Sequence, residues 1–172
     1  MPDLFTIESD ALPTGTVVAA FEGVEGLSQL YRFEVGLIVK DGAEIDLDEA
    51  TAAAAKLSID TGEGNPPQLF HGVLAAVELV HAWLDHALYR AVLVPHWWTA
   101  TLTHHSRVFV DMTTPQIIEE VLKASAISDY ELKLEASYET LPHVCQYQES
   151  NYAFVARWLE REGMYYYFEQ TD

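Results

Sequence analysis

Along the first half of the chain, apolar and polar residues alternate with a period of two. The stretch YRFEVGLIVK, residues 31–40, shows it most clearly. Tyr31, Phe33, Val35, Leu37 and Val39 share one face, while Arg32, Glu34 and Lys40 point the other way. Successive side chains of a strand point to opposite faces, so this pattern predicts a half-buried strand. LFTIES (4–9) repeats it with Phe5 and Ile7 on one face. TVVAAFEG (16–23) predicts a second strand, joined through the turn chemistry of DALPTG. DLDEATAAAA (46–55) predicts a short helix, KLSID (56–60) a brief strand, and TGEGNPPQ (61–68) a loop, from its Gly and Pro content. LFHGVLAAVELV (69–80) and HALYRAVLVP (86–95) predict a long hairpin. Many strands at such short spacing predict a barrel or a sandwich.

After Pro95 the period changes. TTPQIIEEVLKA (113–124) predicts a helix, with Thr113 and Gln116 at capping-box spacing and Pro115 in the first turn. Ile117, Ile118, Val121 and Leu122 form its apolar stripe. YELKLEA (130–136) alternates as a strand. Residues 143–170 predict strand, helix, strand. Ser150 is the N-cap. Phe154, Val155, Trp158 and Leu159 form the inner face, with Arg157, Glu160 and Arg161 outside. Gly163 stands at a left-handed C-cap. The last strand, GMYYYFEQ, would place aromatics on both faces, since Tyr165, Tyr166, Tyr167 and Phe168 are consecutive. Two covers are consistent with that: further chain or neighbouring subunits, or the helices at 114–124 and 151–162.

Composition narrows the function classes. Of 172 residues, 49% are hydrophobic and 21% charged, a globular balance. The net charge of -18 argues against nucleic acid and anionic membranes, which require clustered Lys and Arg. It provides solubility, or a channel or docking face that repels acidic polymers. No apolar run is long enough to span a bilayer, and the first residues lack a basic start and an apolar core. Synthesis and folding in the cytoplasm are therefore expected. Cys145, the sole cysteine, is expected to be a buried, inert thiol.

Candidate chemistry does not converge. His104 and His105 are adjacent on a strand and point to opposite faces. His81 and His86 flank Asp85 without further ligands. Asp46 and Asp48 lack the spacing of a calcium loop. Glu160 and Glu162 lie two apart on a helix and do not face each other. Instead, Arg157 with Glu160 or Glu162 is expected to fix the helix to nearby strands. Ser150, His143 and Glu149 lack a nucleophile elbow, and Gly62 and Gly64 lack the rest of a nucleotide fingerprint. No catalytic residue, metal site or cofactor is predicted.

The segment QYQESNYAFVARWLEREGMYYYFE closely resembles the signature of the VgrG spike proteins of type VI secretion. The matching residues are Gln146, Tyr147, Glu149, Ser150, Phe154, Val155, Arg157, Leu159, Glu160, Glu162, Gly163, Tyr165, Tyr167 and Phe168. Asn151 stands where the family has Asp, Trp158 beside the usual Leu, and Met164 in place of Ile. FEGVEGLSQLYRFEVGL (21–37), FHGVLAAVE (70–78), YRAVLVPHWWTATLTHHSRVF (89–109) and TTPQIIEEVL match further family stretches in order.

The resemblance implies an α+β fold, mostly antiparallel β and like a phage tail hub. A barrel-like tube domain would occupy 1–95. An α/β segment would occupy 96–172 and end before a second tube domain is complete. It also implies a non-enzymatic structural part: a trimer that caps the tail tube and carries the puncturing needle. Its partners would be further copies of itself, the hexameric tail-tube protein, baseplate proteins and, through parts outside this sequence, effectors. It would assemble in the cytoplasm and leave the cell with the spike. Two other readings stay open: a small acidic carbohydrate-active hydrolase with carboxylates near Trp97 and Trp98, and an independent phage-derived tail-binding module. The machine itself could be a type VI system, a phage tail or an extracellular injector.

Overall fold

The structure is a computed structural model that describes residues 4–62 and 64–170. The chain divides into two units, 4–96 with 167–170, and 97–166.

The first unit is one antiparallel sheet of six strands: β1 (Phe5–Glu8), β2 (Val17–Val24), β3 (Arg32–Lys40), β4 (Ala54–Ile59), β5 (Gln68–Ala82) and β6 (His86–Val94). Their spatial order is β1-β4-β5-β6-β3-β2. β1 and β2 stand at opposite ends of that order, yet the rings of Phe5 and Phe21 meet edge-on with centroids 4.9 Å apart. The sheet has therefore curled almost into a closed barrel. β2 is bulged between Val18 and Ala20, and β5 between Leu74 and Ala76 and again between Leu79 and His81. Bulges bend strands and increase their twist, which supplies the curl.

The alternation of residues 31–40 sets the interior. Tyr31, Phe33, Val35, Leu37 and Val39 are all buried, and each contributes about 1.5–3 kcal/mol by leaving water. The helix expected over 46–55 is shorter: α1 spans only Leu47–Ala50, capped by the Asp46 carboxylate on the amides of Asp48 and Glu49. Ala54 and Ala55 join β4 instead, where Ala55 pairs with Gly72. Gly72 is required there, because a Cβ would lie 1.9 Å from the carbonyl oxygen of Val94. Gly23 is required for a similar reason, since a Cβ would enter the Phe33 ring.

The second unit begins within a 3-10 helix, His96–Thr101. β7 (His104–Phe109) pairs antiparallel with β10 (Val144–Ser150), and the short β8 (Met112–Thr113) pairs with β9 (Thr140–Leu141). Two helices, α2 (Thr114–Ala124) and α3 (Asn151–Glu162), bury Ile117, Ile118, Val121, Leu122, Phe154, Val155 and Trp158 together with Phe109 and Val144. The capping box forms as its spacing predicts: the Thr113 amide donates to Gln116 Oε1 at 2.8 Å, and the Gln116 amide donates to Thr113 Oγ1. Ser150 Oγ accepts from the Ala153 amide at 3.1 Å, and Gly163 ends α3 at φ 69°.

Two expected strands are absent. Residues 130–136 alternate in sequence but have no pairing strand among the described residues, and most of their side chains are exposed. Residues 164–170 likewise join no ladder.

Candidate functional site

The signature residues from Gln146 to Glu162 lie on β10 and α3, which pack with β7 and α2. Gln146 is fully buried on β10. Its Oε1 accepts from Arg107 Nε at 3.0 Å, and its Nε2 donates to the Glu149 carbonyl at 3.1 Å and to Asn151 Oδ1 at 3.0 Å. Arg107 Nη2 donates to the same Asn151 oxygen. Asn151 Nδ2 in turn donates to Ser125 Oγ at 2.8 Å, and that hydroxyl donates to the Val121 carbonyl at 2.8 Å. One chain of hydrogen bonds thus ties a strand pair to the start of α3 and the end of α2. Burial lowers the Arg107 pKa from its usual value, with Glu120 acting in the opposite direction. Asn151 suits its place because an amide both accepts from Arg107 and donates to Ser125, whereas the family's carboxylate could only accept.

The partner of Arg157 is Glu149, not Glu160 or Glu162 as expected. Arg157 Nη2 donates to Glu149 Oε1 at 2.7 Å, and Nε donates to Oε2 at 3.0 Å. Nη2 also donates to the Cys145 carbonyl at 3.1 Å, and the Cys145 side chain is exposed rather than buried as expected, because the alternation of β10 turns Val144 and Gln146 inward. The guanidinium sits 5.0 Å from the centre of the Phe154 ring. A hydrogen bond from Arg157 holds the Glu149 carboxyl below the usual carboxylate range, and the Arg157 pKa rises in turn. Glu162 instead accepts from Thr114 Oγ1 at 3.2 Å, joining α3 to α2, and Glu160 is exposed. Phe154 stacks on Phe109 with centroids 5.5 Å apart, and Arg161 covers the Trp158 ring at 4.6 Å.

The expected helix cover is met in part, since α3 reaches the tail through Tyr152. Met164, Tyr166, Phe168 and Gln170 are half-buried, whereas Tyr165, Tyr167 and Glu169 are exposed. Within the second unit, the Tyr166 ring packs on Trp97 at 4.6 Å and its hydroxyl lies 3.1 Å from that of Tyr152. Burial, followed by that contact, raises the Tyr166 pKa. Within the first unit, Phe168 meets Tyr31 edge-on at 5.1 Å, and Gln170 Oε1 accepts from the His71 amide at 2.9 Å. Tyr31 donates to the His71 carbonyl, and burial pushes its pKa up to about 12.

These polar groups fasten elements together. The Ser150 hydroxyl caps a helix and the Glu149 carboxylate is held by Arg157, so neither belongs to a nucleophile–base pair. Among the described residues no three His, Cys, Asp or Glu side chains gather as a metal site would require. No described helix is long and apolar enough to cross a membrane. Three signature aromatics are exposed: Tyr147 on β10, and Tyr165 and Tyr167 in the tail. Sequence reasoning gave no role to Arg107 or Ser125. Arg107 lies in a stretch resembling the family's Arg-Ile-Phe, which was the available signal.

A nearly closed antiparallel barrel joined to a two-helix α/β unit is the fold of tail-hub proteins. The E. coli c3393 protein superposes with a TM-score of 0.82 at 22% identity, covering 96% of this chain and 45% of its own. It is described as a type VI secretion component structurally similar to the T4 bacteriophage tail proteins gp27 and gp5. A 43 kDa tail protein of prophage MuSo2 from Shewanella oneidensis superposes with a TM-score of 0.63 at 14% identity, covering 92% of this chain and 50% of its own.

The family model of the phage tail baseplate hub (GPD) matches residues 24–172, and the chain belongs to that family. The type VI secretion system spike proteins VgrG1a and VgrG1b of Pseudomonas aeruginosa are 31% and 32% identical to it over 93% of the chain. The actin cross-linking toxin VgrG1 of Vibrio cholerae is 28% identical over 95% of the chain, which covers 16% of that toxin. The chain spans about a quarter or less of the curated relatives it matches, 25% of VgrG1a and 22% of VgrG1b.

Proposed function

We propose that the chain is the hub portion of a contractile injection machine's spike, working as a trimer that caps the tail tube and carries the puncturing needle, without catalysis of its own. In this reading residues 1–95 form the tube domain, and the signature residues from Gln146 to Phe168 give the following segment its shape. The partners are further copies of the chain, the hexameric tail-tube protein and baseplate proteins. Assembly takes place in the cytoplasm, and the spike leaves the cell when the machine fires.

The observation that carries this reading is similarity to named spike proteins over 93% of the chain. The engagement of Gln146, Glu149, Arg157 and Glu162 in internal fastening supports an architectural role. The exposed aromatics Tyr147, Tyr165 and Tyr167 support contact with other subunits, because exposed apolar surface marks interfaces.

Light scattering across concentration and salt tests the assembly. The mass should rise toward three copies, and salt should favour this, because like charges are screened beyond about 8 Å at physiological ionic strength. A mass that stays at one copy at the highest concentration and salt would count against the trimer. Turnover of glycan or peptidoglycan, abolished by Glu160→Gln, would overturn the absence of catalysis.

A further inference from the structure

We infer that residues 130–136 of one copy add as a strand to the open edge of β5 in the next copy, a contact that rests on the trimeric assembly proposed above. Each copy carries one sheet edge without a strand and one strand pattern without an edge.

The edge comes from unequal strand lengths. β5 runs over 15 residues and β4 over 6, and their pairing ends at Val73 opposite Ala54. The turn after α1 reaches one residue further: the Ala52 amide donates to the Leu74 carbonyl at 2.8 Å, and the Leu74 amide to the Ala53 carbonyl at 2.9 Å. From Ala76 to Leu79, β5 pairs with β6 on one side, and among the described residues no strand or loop backbone bonds to the other. The bulges of β5 fall before and after this run and leave it regular. Leu79 and Val80 are 49% and 53% exposed, and neither lysine nor proline interrupts residues 75–82, as natural edges commonly arrange. The other end of β5 is treated differently. β6 stops at Val94 opposite Val73, and beyond it the His71 amide and carbonyl are taken by the side chains of Gln170 and Tyr31.

The strand is the segment that alternates without pairing. Tyr130, Leu132 and Leu134 alternate with Glu131, Lys133 and Glu135, the pattern of a strand with one covered face. Here that face is open: Tyr130 is 40% and Leu134 38% exposed, and the segment joins no ladder among the described residues. An extended segment that adds to a sheet edge draws its affinity from main-chain hydrogen bonds, with alternate side chains seated on the two faces. The occupant is a second copy because every copy holds both halves; a foreign strand on β5 would leave 130–136 unpaired. One donor and one acceptor per copy make a head-to-tail contact, which closes into a ring where the rotation permits. The net charge of -18 opposes the contact, so it strengthens with salt.

Two variants test the contact by complementation. Lys133→Pro removes an amide donor from the segment, and Leu79→Lys sets a charge on the edge. Both positions are exposed, so each variant should keep the parent's melting temperature. Each alone should lose at least about tenfold in self-association, read by light scattering at high salt. Mixed in equal amounts they should form a dimer and stop there, because Leu79→Lys still donates its segment and Lys133→Pro still offers its edge. In the parent, the amides of 76–79 and 131–135 should gain protection from hydrogen exchange as concentration rises. That measurement needs no substitution and decides the matter if a variant folds poorly. Folded variants that associate like the parent, a mixture that stays single, or protection independent of concentration would overturn the proposal. A trimeric parent without protection at these amides removes the strand exchange and leaves the trimer. Protection in a parent that grows past three copies removes the trimer and leaves the strand exchange. A parent that stays single removes both.

Discussion

The two units are held together by different means. All four buried polar residues among those described, Thr114, Gln146, Ser150 and Asn151, lie in the second unit, and the barrel interior is apolar. A barrel built on alternation accepts many apolar combinations so long as volume and pattern are kept. A small α/β unit with a buried amide network does not, because each buried donor and acceptor needs its own partner. This accounts for the concentration of the signature between Gln146 and Gly163. Those side chains each have a specific partner within the unit.

Substitutions can separate the two modes. The largest effect is expected from Gly72→Ala in the barrel, where the new methyl group meets the Val94 backbone rather than a side chain that could turn away. A loss of about 3 kcal/mol or more is expected in denaturant unfolding. Hydrogen exchange should loosen across β4, β5 and β6 well before α3. Equal loosening of both units would break the distinction drawn here.

Gln146→Leu is next. It keeps the volume but strips Arg107 and Asn151 of a partner inside the second unit, for an expected loss of about 2–3 kcal/mol. Exchange protection should fall in α3 and β10 while β3 keeps its own. A variant as stable as the parent would mean the amide network contributes nothing net.

Gly163→Val should cost about 1–2 kcal/mol through left-handed strain. A Cβ there meets nothing within 4 Å, so a melting temperature that does not move would show that the backbone adapts without cost.

Arg157→Ala is the smallest, at about 1 kcal/mol, because the pair is only partly buried. Its pH dependence carries more information than its size. The Glu149 carboxyl is held below its ordinary value of 4.5 in the folded chain. The pair's contribution is therefore present above pH 4.5 and is lost as pH falls through the lower folded value. The stability gap between parent and variant should be constant near neutrality and close in acid. A gap independent of pH would assign the effect to lost packing on Phe154.

Local pattern made β3, α2, α3 and their caps legible in the sequence. Each is decided by residues within a few positions, as with Thr113 and Gln116 or Ser150 and Ala153. The fastenings were not legible. Arg107 meets Gln146 and Asn151 across 39 and 44 positions, and no periodicity reports such a meeting. Arg157 is expected to act with Glu160 or Glu162, but Glu149 reaches it from the strand before the helix. Residues 130–136 had the alternation of a strand but no neighbour to pair with, and pairing is decided by tertiary structure.

The return of residues 167–170 to the barrel has a consequence for the timing of folding. The His71 amide bonds to Gln170, a residue translated 99 positions later, and Tyr31 acquires its Phe168 neighbour later still in relative terms. Long-range closure of this kind is slow, because the intervening chain must be ordered before the contact yields any stabilisation. During synthesis the six strands can pair and the second unit can condense while Tyr31 and the His71 amide still lack these neighbours. A nascent chain halted at Gly163 would therefore leave Tyr31 without the Phe168 ring that packs on it, open to chaperones and proteases.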